Sequence, residues 1–111
     1  MLQEGDLVEL SGGYDEGSIW LGERKKISGK LKGFIPGQRQ ETAAQIELDE
    51  TLTVKGITGN IIILELRYVG AKWDDHGIVH VELCDFQPEA KPWKDRKRGE
   101  WVESHASYKK L

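Results

Sequence analysis

The stretch IIILELRYVGAKWDDHGIVHVELCDF, residues 61–86, decides the fold. Ile62, Leu64, Leu66 and Tyr68 occupy alternate positions, and so do Val79, Val81 and Leu83. Side chains of an extended chain point to opposite faces in turn, so each set lines one face of a strand. Between them, Asp74-Asp75-His76-Gly77 has turn chemistry, because Asp starts turns and Gly accepts a positive φ. A four-residue loop there sets Trp73 opposite Ile78, Lys72 opposite Val79, Gly70 opposite Val81 and Tyr68 opposite Leu83. The two apolar faces coincide in that register, and a slip of one residue would part them. The sequence therefore predicts a β-hairpin.

The second face of this hairpin carries His80, Glu82 and Cys84, with Arg67, Val69 and Ala71 across from them. Zinc takes three or four ligands converging on one point. Residues two apart on a strand are separated by about 7 Å. The favoured reading is structural: Glu82 pairs diagonally with Arg67, His80 sits half-exposed and Cys84 is a small apolar filler. No metal ligand set and no cofactor is assigned. A Cys84–His80 nucleophilic pair would span about 13 Å along the strand. A small metal protein or enzyme centred on His80, Glu82 and His105 is the third-ranked alternative.

Moving outward, GDLVELSGG (5–13) opens a short strand with Val8 and Leu10 on one face. KKISGKLKGFIPG (25–37) alternates, with Ile27, Gly29, Leu31, Gly33 and Ile35 facing inward and Lys30, Lys32 and Phe34 outward. Two inward glycines imply a strand that bends sharply or passes close to another backbone. AAQIELDE (43–50) is a further strand with Ala44, Ile46 and Leu48 inward. Leu52 and Val54 continue it to a turn at Gly59-Asn60. No segment has a convincing helical period. Several short strands with Gly-rich turns imply an all-β architecture.

The pattern over residues 5–86 resembles the SH3-like small barrels, the class that includes Tudor and KOW modules. The opening GDLVELSGG with Gly17 carries the KOW likeness. The next strand starts near Lys25, later than in a KOW segment, so no ribosomal or transcriptional role is carried over. The expectation is a five- or six-stranded SH3-like barrel within residues 1–88, with residues 89–111 a basic, tryptophan-bearing extension.

Charge divides along the same boundary. Residues 1–90 hold nine Lys/Arg against sixteen Asp/Glu, and residues 91–111 hold seven against three. An acidic body argues against phosphate binding over the whole surface. One cysteine makes no internal bridge, and the first ten residues lack a signal-peptide pattern, so a reducing, cytoplasmic setting is expected. The longest apolar run, Ile61–Leu64, is far below transmembrane length. Motifs for nucleotide binding or hydrolysis are lacking.

The leading functional expectation is a non-catalytic binding or adaptor module for a protein partner, or for self-association as a symmetric dimer. Its candidate contact residues are Trp93, Arg96, Lys97, Arg98 and Trp101 of the extension, with Trp20 and Trp73 from loops. Trp and Arg are the residue types most enriched as interface anchors. The alternative is a nucleic-acid-binding barrel using Lys25, Lys26, Lys30, Lys32 and Phe34 with the basic extension, since phosphate pairing and base stacking need cations interleaved with an aromatic.

Overall fold

The computed structural model describes residues 1–12, 26–54, 57–83 and 101–111; the side chains at 53, 54, 57, 58, 83 and 101–104 lie outside that description. Six strands, β1 (Leu7–Gly12), β2 (Lys26–Pro36), β3 (Thr42–Val54), β4 (Ile57–Leu66), β5 (His76–Leu83) and β6 (Trp101–Lys110), follow one another around a closed antiparallel barrel. Each strand pairs with its sequence neighbour, and β6 returns to β1. Closure gives every strand a partner on both sides over at least part of its length.

The alternation read from the sequence builds the interior. Val8, Leu10, Ile27, Leu31, Ala44, Ile46, Leu48, Ile62, Leu64, Leu66, Val79 and Val81 form one buried cluster. Leu2, Leu52, Trp73, Ala106 and Tyr108 join it. Two expected core members differ: Tyr68 is 58% exposed and Ile35 packs outside the barrel. The side chain of Leu83 is among those not described.

Ile35 moves because β2 carries a bulge. Leu31 faces Ile46 but Gly33 faces Gln45, so Lys32 is an extra residue. One inserted residue exchanges the faces of everything after it. Phe34 therefore turns to the interior side opposite Ala44, and Ile35 turns outward beside Ala43. Gly33 takes a φ of 155° there, a value that side chains with a Cβ rarely adopt. The other inward glycine meets the close approach that was expected. A Cβ on Gly29 would lie 2.7 Å from the Glu47 carbonyl oxygen and 2.7 Å from Ile46 Cγ2. Neither neighbour can yield freely, so Gly29→Ala should lower the unfolding free energy by about 1–3 kcal/mol. Urea unfolding of the variant measures this; an unchanged midpoint would mean that β2 and β3 have slack here.

The hairpin exists, but its register differs from the expected one. Leu83 pairs with Ile62 rather than Tyr68, six positions back along β4, and Val81 and Val79 pair with Leu64 and Leu66. An even shift keeps every side chain on its face, so Val79 and Val81 reach the core in either register. The connection is longer because Tyr68–Ala71 makes a turn of its own. The Ala71 amide donates to the Tyr68 carbonyl at 3.2 Å, with Gly70 at a φ of 80°. Tyr68 leaves the sheet in that turn, and the chain then drops Trp73 onto the barrel's end.

The boundary expected at residue 88 does not hold for β6. Leu10 pairs with Tyr108 and Val8 with Lys110, while Val79 pairs with Ala106, so this part of the presumed extension closes the barrel. Tyr108 is its anchor: its hydroxyl donates to the Asp74 carbonyl at 2.7 Å, and its ring lies 5.5 Å from that of Trp73. Burial, helped by Asp74 and Asp75, pushes its pKa up to about 12. Ala106 and Tyr108 alternate with Ser107 and Lys109, but two apolar side chains of unlike size are a faint strand signal.

A second, smaller cluster lies on the outer face. Ala43, Ile61 and Ile63 are buried there with Ile35 against them. Burial on both faces accounts for the unbroken apolar run Ile61–Leu64, as in strands covered on both sides.

Candidate binding surface at the Trp73 end of the barrel

Trp73 is 8% exposed, and its indole closes one end of the core. Phe34 leans on it with ring centroids 5.9 Å apart and planes at 51°. The bulge in β2 is what delivers Phe34 to this position. Leu2 inserts beside the indole, with its amide donating to the Trp73 carbonyl at 2.9 Å. A groove of about 370 Å³, almost wholly apolar, opens here between Met1, Leu2, Phe34, Thr42, Lys72 and Trp73. A second depression of about 320 Å³ lies across Thr42 and Trp73, between Gln40, Glu41 and the 69–71 turn. Met1 is 71% exposed and Val69 91%. Apolar side chains gathered at a concave surface mark a contact site more often than scattered ones do.

The expected contact residues divide accordingly. Trp73 is at this surface, but as a wall of the core rather than a free loop anchor. Trp20, Trp93, Arg96, Lys97 and Arg98 lie outside the described residues. Trp101 starts β6 opposite Glu82, with its side chain outside the description. Among the described residues of the basic alternative, the aromatic and the lysines are arranged differently from the expected face. The bulge takes Phe34 away from the face of Lys30, and Phe34 lies against Trp73 instead. Lys32 is 3.0 Å from Glu47, and Lys26 is 3.7 Å from Glu9, which also holds Lys109 at 3.5 Å. Lys25 is outside the described residues.

The polar row on the outer face is a separate feature. Glu65, His80 and His105 stand side by side on β4, β5 and β6. The imidazole centroids of His80 and His105 are 4.6 Å apart. Glu82 belongs to the next row, between Ile63 and Trp101, so the expected pairing of Glu82 across from the 67–71 segment is replaced. Glu65 is fully buried, and one carboxyl oxygen accepts the amides of Gln38, Arg39 and Gln40 at 2.7, 2.9 and 3.0 Å. Gly37 has no side chain to obstruct this, since a Cβ there would run into the same carboxyl oxygen and the Gln40 carbonyl. Nothing in the sequence pattern flags this loop clasp; its trace is a lone acidic residue in an apolar strand. Among the described residues, no group of three His, Cys, Asp or Glu side chains is placed to hold a metal ion.

No match emerges from comparison with known proteins. Neither a family model, nor a curated protein, nor a solved structure corresponds to this chain. Among the described residues no helix is long and apolar enough to cross a membrane.

Burial holds the His80 pKa below its ordinary value of 6.5, and His105, Arg39 and Arg67 push in the same direction while Glu65 opposes them. The unfolded chain then takes up this proton first as the pH falls. His80 contributes stability above pH 6.5 that is lost as the pH drops from there toward its folded value. His105→Gln removes the second of those causes, so His80 should titrate closer to its ordinary value. Proton NMR of the imidazole resonances reads this; an unmoved His80 midpoint would assign the shift to burial and the two arginines, without His105.

Proposed function

We propose that this chain is a non-catalytic binding module for a protein partner, with the Trp73 end of the barrel as its contact surface. One observation carries the reading: the apolar groove between Phe34 and Trp73, with exposed Met1 and Val69 beside it. A groove of that size takes one or two apolar side chains of a protein segment, in the manner of an interface anchor in a pocket. Rigid aromatic walls lose little conformational freedom when an apolar side chain enters. The ion-paired lysines Lys26 and Lys32 give less support to the nucleic-acid alternative, whose electrostatic attraction depends on unneutralised cations.

The test is selection from a random peptide library on the full chain, with binders mapped by shifts of the Trp73 indole N–H resonance. Peptides with an apolar anchor that move Trp73 are the expected result. Phe34→Ala should weaken them by about tenfold or more, because it removes one groove wall. Binders that leave Trp73 unmoved, or an absence of binders to a monomeric chain, would overturn the reading.

A further inference from the structure

The two depressions at this end share Thr42 and Trp73, which form a ridge between them. On one side of the ridge lie Val69, 91% exposed, and Glu41. On the other lie the Phe34–Trp73 groove and Lys72. One side thus offers an apolar knob and an acidic group; the other offers an apolar hollow and a basic group. Neither Glu41 nor Lys72 has an ion-pair partner among the described residues.

A two-fold axis lying along the ridge would set the knob side of one copy over the hollow side of the other. Both contacts then form twice, with Glu41 of each copy near Lys72 of the other. Self-complementarity of this kind is what an isologous interface requires. We propose that the partner at this surface is a second copy of the chain, with Val69 of each protomer entering the Phe34–Trp73 groove of its mate. The inference rests on the docking role given to this surface, and it names the occupant. A different protein would need neither the knob and hollow on one face nor opposite charges across one ridge.

Sedimentation equilibrium of the full chain over a range of concentrations tests this. The expected result is a concentration-dependent species of twice the chain mass. Val69→Asp should abolish it; the side chain is exposed on a turn, so folding is spared, and circular dichroism verifies this. Lys72→Glu and Glu41→Lys should each weaken association by about tenfold or more, because each brings like charges together. The double variant Glu41→Lys with Lys72→Glu should restore it, which loss of fold could not imitate. A monomer at every concentration up to about 1 mM would overturn the inference, since affinity weaker than that is negligible. So would a dimer indifferent to Val69→Asp and to both single reversals. If the chain is monomeric while selected peptides still move Trp73, the second-copy inference falls and the docking role stands. If neither binding occurs, both fall.

Discussion

Glu65→Ala should lower the unfolding free energy by about 3 kcal/mol. The wild-type carboxyl oxygen accepts three successive amides of the loop after β2, from a side chain that is fully buried. Alanine leaves those three donors without an acceptor at the barrel wall. An unsatisfied, partly buried donor costs about 1–3 kcal/mol, and entering water recovers some of it. A domain of this size has roughly 5–15 kcal/mol in total, so the loss is a large share. The melting temperature should fall by roughly 15 °C. Glu65→Gln keeps an acceptor of the same reach and should lose about half as much, because charge-assisted bonds are about twice as strong as neutral ones. Hydrogen exchange at Gln38, Arg39 and Gln40 localises the effect. Unchanged protection of these amides in Glu65→Ala would show that the loop is held by other means.

Trp73→Ala should cost more than any other single core truncation, about 3–5 kcal/mol. The indole touches both ends of the design: Tyr108 of β6 at 5.5 Å and Phe34 of β2 at 5.9 Å between centroids. Removing it empties the end of the barrel and strips the groove of the side it shares with the second depression. Phe34→Ala separates the two roles. Phe34 is 37% exposed and already borders solvent, so its loss should cost about 1 kcal/mol of stability while removing the groove wall. Chemical denaturation of the two variants measures both effects. Equal destabilisation would mean that Phe34 belongs to the core, and a binding deficit in its variant could then not be read as a surface effect.

The strand alternation was legible because period two survives errors of register. The β4–β5 pairing shifts by an even number of positions, so Val79 and Val81 reach the core either way. The β2 bulge was not legible, since Lys32 resembles any other strand lysine, and its insertion alone decides where Phe34 points. That one residue separates the expected basic-aromatic face from the observed aromatic groove. β6 was hidden for a different reason. Its inward residues include a small Ala106 beside a large Tyr108, and its charge matched the polar segment before it. Trp73 was legible as important, but its depth depends on the turn at Gly70, which shortens β4 and folds the indole back. The Glu65 clasp joins residues 25–27 positions apart, and no local pattern announces such a bond.

The pairing of Val8 with Lys110 also sets the tempo at which the molecule can form. Neighbouring strands can zip as hairpins in microseconds. The seam between β1 and β6 cannot, because it joins opposite ends of the chain and must overcome the loop entropy of nearly everything between them. Such topologies fold in milliseconds to seconds rather than microseconds. Until that seam closes, β1 and β6 each present an open edge, and on a ribosome β1 and β5 stay open until β6 has emerged. The finished barrel is closed, but its precursor is a curled sheet with two exposed margins. The interval before closure is when this chain is most exposed to pairing with another.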